Sequence, residues 1–566
     1  MKKLVMKLLT ALLFALFFLV STGPIREGDI FWHIRTGEWI WQHKAVPSED
    51  PFTFTAQSKD PARPHSVRYN MILKGYWLSQ PVFYFLYRFF GISGLVLFRA
   101  VVIALILFIL YAWMRSLGVR YSLSLAALSL VGFFIKDTGD RPQYFSFLFF
   151  PVIAILLELL RKKLREDGSR TRTPQVAVAC FLLPFVMLLW ANMHGGYVMG
   201  VLLICLYLAG GLFRFGDGSW KIAFNPKFSA LLVFSILVTF LNPNTYRVFE
   251  GLWYEVRGGV QFAFVAEMMS PFRAAVLYGS YNISYWIVLM AAVFILLFRA
   301  KGMRPERALS LLAFGAASLS AQRMIPFFLA LTPVIASEIE KRSKQGFKKI
   351  ADGMAVVPVV LVFVMGFQLR EGLFDYSLDS QFPVEAANFL NLEKPRGKLF
   401  NYADWGGYLM VYAPEFKVFD DGRRLMDDVE IAQNSVMTGS KRPLMGRPEW
   451  EAYLEAYNIE IILVPAVTPF MDDFVPLVER LYRDDDWVLV YRDNLSLIYL
   501  KKGGQNEEIV KRLYLPKELA LINAINRLHS YRTETERRGK VQLIADLYSL
   551  MGRDEAAKEY YKLLEK

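Results

Sequence analysis

The sequence predicts a polytopic α-helical membrane protein with a C-terminal α/β domain outside the cytoplasm and a terminal helical hairpin. Three observations carry this. The 566-residue chain is 54% hydrophobic and 15% aromatic, with a mean hydropathy of +0.30, too apolar for a soluble enzyme. Its net charge of +13 is concentrated in short connections between apolar runs, the distribution of the positive-inside rule and not that of a nucleic-acid-binding face. After Leu369 the composition changes, and short apolar runs alternate with helical patterns. The two cysteines, Cys180 and Cys205, sit in apolar runs, so neither a disulfide framework nor a thiolate metal site is available to the soluble part.

The apolar run 4–20 follows Lys2, Lys3 and Lys7 and is long enough to span; with no A-x-A cleavage site after it, it reads as a retained helix. Residues 22–75 form a long external loop. In it, a helix starting near Asp29 is stopped by Pro47 and Pro51. The segment 76–90, interrupted by Gln80-Pro81 and Arg88, reads as a juxtamembrane helix. Spans follow at 92–114, 121–135, 143–160, 175–191, 197–213, 228–241, 284–298, 308–321, 324–336 and 354–369. With the first run this makes about eleven crossings, amino terminus inside and carboxy terminus outside. Basic runs at 115–120, 161–172, 299–307 and 341–349 then face the cytoplasm. The expected domains are 1–371 in the membrane, 372–503 as an extracytoplasmic α/β domain and 504–566 as a helical segment. Strands are expected at 398–401, 417–419, 459–465, 487–491 and 495–500, with helices at 382–392, 449–457 and 474–482. Ala545, Tyr548, Gly552, Ala557 and Tyr561 have tetratricopeptide (TPR) spacing, which suits a protein partner or equally a packed terminal hairpin.

The candidate chemistry lies on the external connections. Asp29, His33 and Glu38 sit close to the first span, where ionisable groups need water, partners or a task. The same stretch also suits an amphipathic interfacial helix anchored by Trp32, Trp39 and Trp41. Arg141 opens one span and Arg323 another, while Asn192 and His194 lie in a connection of almost no length beside Gly195 and Gly196. Snorkelling to headgroups explains either arginine singly. Together on one face, they suit an anionic lipid-linked ligand: cations stabilise a leaving phosphate, and a carboxylate takes the proton of an attacking hydroxyl. Asp29, Glu38, Asp50 and Asp137 offer hard oxygen ligands for magnesium or manganese, but no tight D-x-D or D-x-E accompanies Asp29.

The architecture resembles the GT-C superfamily of membrane glycosyltransferases, in which the first external loop begins with a catalytic acid and holds two juxtamembrane helices. More closely, it resembles a group of bacterial GT-C-like membrane proteins. The shared elements are Asp29, His33, Gly37 and Ile40; Asp50-Pro51-Phe52; Arg141-Pro142-Gln143; Asn192 to Gly196; Asn242-Pro243; and Arg323 to Pro326. Trp405-Gly406-Gly407-Tyr408-Leu409 and Asp421-Gly422-Arg423 extend the likeness beyond the spans, with Gly406 and Gly407 read as a strand–helix turn. The resemblance implies a bacterial inner-membrane enzyme that moves a sugar from a polyprenyl-phosphate carrier to a hydroxyl on a glycan, lipid or protein, with inversion. Asp29 and His33 would be catalytic, Arg141, His194 and Arg323 would hold the donor phosphate, and Asp404, Trp405, Asp421 and Arg423 would form an acceptor or ectodomain site; Asp421 and Arg423 equally suit an internal ion pair. The alternative is a non-catalytic membrane scaffold presenting the α/β and TPR-like segments to envelope partners. It predicts that Asp29→Asn is silent.

Overall fold

A computed structural model describes residues 2–57, 67–136, 139–162, 174–216, 219–222, 224–256, 266–278, 282–299, 302–368, 378, 380–469, 471–529 and 534–564. Asp137 and the basic residues of 163–172 lie outside the described residues. Internal contacts divide the chain into two units. The first is Met1–Ile25, Gly37–Val46 and Asn70–Ser377; the second is Arg26–Thr36, Pro47–Tyr69 and Leu378–Lys566.

The first unit is helical. Four of its helices, through Lys3–Val20, Ser79–Ser116, Gln143–Arg161 and Pro174–Met193, are long and apolar enough to cross a membrane. Shorter apolar helices occupy Tyr121–Ile135, Tyr197–Gly211, Pro226–Phe240, Ile283–Phe298 and Val357–Gln368. Several long apolar helices in one chain indicate a multi-pass membrane protein. The helix Ser79–Ser116 joins the expected juxtamembrane helix to the expected next span. The join is Gly91, at φ 62° and ψ −154°, a conformation open to glycine and costly for residues with a Cβ. The expected span 324–336 is broken into a turn Gln322–Met324 and helices Ile325–Leu329 and Thr332–Arg342. Pro326 and Pro333 begin those two helices, where a missing N–H costs nothing.

Buried ion pairs tie the helices together. Arg99 pairs with Asp140 at 2.9 Å and donates to the carbonyls of Ser21, Gly23 and Pro24, fixing the exit of the first helix to the start of Gln143–Arg161. At the opposite end of that helix, Glu158 accepts from Arg307 at 2.7 Å and Arg304 at 3.1 Å, and Arg161 pairs with Glu306. Part of the basic charge that reads as loop charge in the sequence is therefore committed to buried glutamates.

The second unit contains a four-stranded mixed sheet: β1 Lys398–Asn401, β2 Ile459–Pro465, β3 Trp487–Arg492 and β4 Ser496–Lys501, in the order β1-β2-β4-β3. β1 and β2 are parallel, and the other pairs are antiparallel. β2 and β4 are buried almost throughout, as central strands rich in Ile, Leu and Val should be. Two expectations are corrected. Residues 417–419 form no strand, only a bridge from Val418 to Thr53. Gly406 and Gly407 are not a turn; they lie inside the helix Ala403–Tyr412. They are small for a packing reason. A Cβ on Gly407 would lie 2.7 Å from the Gly28 carbonyl oxygen, and one on Gly406 would overlap the Asp420 carbonyl. The chain closes with the hairpin Glu534–Leu550 and Asp554–Lys562, turned at Gly552 with φ 72° and held by buried Ala545 and Ala557.

Candidate functional site

Within the first unit, four connections distant in sequence bring charge together. His194 follows the helix Pro174–Met193 directly. Its Nδ1 accepts from the Gly196 N–H at 3.0 Å and lies 2.6 Å from the Ser146 hydroxyl. Ser146 Oγ in turn accepts from Trp190 Nε1 at 2.7 Å, which leaves its own proton for the imidazole. Two donors on Nδ1 place the ring proton on Nε2. Arg141 pairs with Glu267 at 2.7 Å. Arg323 reaches the Met268 sulfur at 2.9 Å, and the Gln322 N–H donates to the Met269 carbonyl at 2.9 Å, so the Arg323 turn is laced to the Glu267 turn. Burial first, then the fields of Arg323 and Arg141, push His194 down to about 3. Burial opposes ionisation of Glu267, but Arg141 and then Arg323 bring it to about 2. The cluster therefore holds two fixed cations, one fixed anion and a neutral imidazole with an N–H to offer.

The neighbouring polar groups have structural work. Asn192 accepts from Trp77 Nε1 at 2.8 Å and donates to the Leu188 and Leu241 carbonyls, pinning three segments. Gly37 is small because a Cβ there would overlap the Gln80 carbonyl. His194 couples folding to pH. The unfolded chain takes up a proton near pH 6.5 that the folded chain refuses until about 3, so this group's contribution is present above pH 6.5 and lost as pH falls through that window. A one-dimensional titration of ring 13C-labelled histidine should find the His194 resonance unshifted from pH 7 to 5; a midpoint near 6.5 would contradict the assignment.

Within the second unit, Asp29 opens the helix Asp29–His43, whose N-terminal dipole favours a carboxylate. The helix ends at Lys44, left-handed at φ 53°, ahead of Pro47. Asp29 is half-buried and sits against Gly422, where a Cβ would overlap Asp29 Oδ1. His33, one turn on, is only 1% exposed. Trp32 lies beneath the Arg423 guanidinium at 5.7 Å. Arg423 is held by Asp421 through Nε at 2.7 Å, by Asp50 through Nη1 at 2.6 Å and Nη2 at 3.1 Å, and by Thr53 Oγ1 at 3.0 Å. Burial works against charge on Asp421, but the adjacent guanidinium outweighs it and holds that carboxyl below its usual range. Burial and then the Asp421 charge push the neighbouring Asp420 carboxyl well up.

The residues expected at an acceptor or ectodomain site are mostly interior. Trp405 is 2% exposed and donates to the Gln381 carbonyl at 2.9 Å; Asp404, half-buried, accepts from the Tyr402 hydroxyl at 2.8 Å; Asp421 and Arg423 are buried in their own ion pair. Among the described residues no group of three or more His, Cys, Asp or Glu side chains is disposed to hold a metal ion, and Asp50 is taken by Arg423. Glu267 and Thr53 carry no motif that marks them in the sequence; they become visible only through their partners.

No family model and no curated protein sequence matches the chain. Solved structures do. The archaeal oligosaccharyltransferase AglB from Archaeoglobus fulgidus, in complex with an inhibitory peptide and a dolichol-phosphate, superposes with a TM-score of 0.55 at 11% identity, over 96% of this chain and 83% of that one. The fold resembles that of AglB. A crystal structure of the same A. fulgidus oligosaccharyltransferase in the apo form matches at TM-score 0.48 and 12% identity over the same shares of the two chains. At this identity the likeness concerns the fold alone, and residue roles rest on the geometry above.

Proposed function

We propose that the protein is a GT-C-type inverting glycosyltransferase of the bacterial cytoplasmic membrane, acting on the outer face. It moves a sugar from a polyprenyl-phosphate carrier to a hydroxyl on a glycan, lipid or protein. The observation that carries this reading is the gathering of Arg141, Arg323 and the Nε2–H of His194 from three separate connections, an arrangement suited to a phosphate oxygen. The AglB-like fold, in a relative solved with dolichol-phosphate, supports the same donor class.

In the proposed reaction Asp29 takes the proton of the acceptor hydroxyl as its oxygen attacks the anomeric carbon. The bond from that carbon to the phosphate oxygen breaks, and the leaving phosphate keeps the electron pair. Arg141 and Arg323 stabilise that charge, and His194 contributes a neutral hydrogen bond. His33, being buried, acts by orienting the first turn of the Asp29 helix. The domain division 1–371, 372–503 and 504–566 and the outward orientation are part of this proposal. Purified protein in nanodiscs should bind a fluorescent polyprenyl phosphate, and Arg141→Ala or Arg323→Ala should each weaken it by about tenfold or more, the loss of a charge-assisted hydrogen bond. Unchanged affinity in both variants would remove the donor-site assignment.

A further inference from the structure

Two motifs, Asp50-Pro51-Phe52 and Asp420-Asp421-Gly422-Arg423, are not absorbed by the reaction just described, and they meet each other. The guanidinium of Arg423 has every nitrogen engaged by Asp50, Asp421 or Thr53, and the Thr53 hydroxyl donates to Asp421 at 2.9 Å. Further bonds seal the joint. The Thr53 N–H donates to Asp50 at 2.8 Å, the Asp50 N–H donates to the Tyr69 hydroxyl at 2.6 Å, and the Phe52 and Phe54 backbones bond to Val418 on both sides. A guanidinium engaged at all three nitrogens and buried in this way is committed to the protein's own carboxylates. Between Asp421 and Arg423 lies Gly422, and against it lies the Asp29 carboxylate.

We propose that Arg423 is a positioning residue: clamped by Asp50 and Asp421, it fixes Gly422 as the seat of the Asp29 carboxylate and so sets the direction in which that carboxylate presents its oxygens. The clamp is rigid because the Arg423 side chain is 1% exposed and bidentate to both carboxylates, a geometry a lysine cannot reproduce. Gly422 is required because any Cβ would take the space of Asp29 Oδ1. That the position of Asp29 matters for sugar transfer rests on the proposed function; that the clamp sets it does not.

The test uses the full-length protein in nanodiscs, comparing Gly422→Ala and Arg423→Lys with wild type. Asp29 reactivity is read by carbodiimide-coupled glycine ethyl ester and peptide mass spectrometry, alongside thermal melting. Gly422→Ala should melt close to wild type and label at Asp29 severalfold faster, because the methyl expels the carboxylate from its seat; Arg423→Lys should move labelling the same way. Unchanged Asp29 labelling in both variants overturns the proposal. Should Arg423→Lys fail to fold, Gly422→Ala alone decides, since it adds one methyl. In a transfer assay both variants should lower kcat, by about a hundredfold for a displacement near 1 Å, with donor KM unchanged; a rise in KM with kcat unchanged also overturns it. Altered labelling in a protein whose wild type transfers no sugar leaves the clamp standing and sinks the glycosyltransferase reading alone.

Discussion

Asp29→Asn is expected to lower sugar transfer by about 10³-fold, within the range lost when a positioned general acid or base is removed. The substitution preserves the shape of the side chain and a good helix-start residue, and the helix-dipole interaction it removes is worth about 0.3–1 kcal/mol. Melting should therefore stay near wild type while turnover disappears. The measurement is transfer of a radiolabelled sugar from polyprenyl phosphate to a membrane acceptor fraction, with wild type and variant at equal protein. A variant that transfers at the wild-type rate returns Asp29 to the role of an interfacial helix start and favours the scaffold alternative.

Arg423→Met is expected to produce the largest loss of stability, about 3–5 kcal/mol at neutral pH, because it leaves Asp50 and Asp421 buried with no counter-charge. The pH dependence should also reverse. In the wild type, the depressed Asp421 carboxyl contributes stability above the ordinary carboxylate range, and this is lost as pH falls through its folded value. Without the arginine, burial and the neighbouring charge raise the Asp421 carboxyl, so the variant should regain stability as pH falls from 7 toward 5. Melts at the two pH values decide it, and a variant that melts like the wild type at both would mean that the clamp holds nothing together.

Much of the membrane architecture was legible because hydropathy and loop charge follow from solvent alone: an apolar helix of sufficient length seeks lipid, and lysines and arginines accumulate at its ends. The strands β1 to β4 were legible for a similar reason, since alternating or continuous apolar runs of strand length have few other places to go. Arg141, His194 and Arg323 were legible as residue types that need partners, because arginine and histidine at span boundaries call for them. Their partner Glu267 was not, since nothing local marks an acid that will meet Arg141 across 126 residues. The glycines of Trp405-Gly406-Gly407 were misread for the same reason. Local rules favour a turn there, whereas their smallness serves close approach to Gly28 and to Asp420.

The sequence by itself determined the apolar helices, the strands of the sheet and the place of Asp29 close to the first apolar run. Those follow from periodicity and from the cost of placing charge in lipid, both of which act within a few residues. Tertiary structure decided the rest. It placed Asp50, Thr53 and Asp421 around Arg423, chose for that arginine the internal ion pair over an open binding site, left His194 neutral and paired Arg141 with Glu267. Each of those outcomes depends on desolvation and on partners hundreds of residues away in some cases, as with Asp50 and Arg423 at a separation of 373. Burial sets whether a charged group binds a ligand or the protein itself, and burial is a property of the fold.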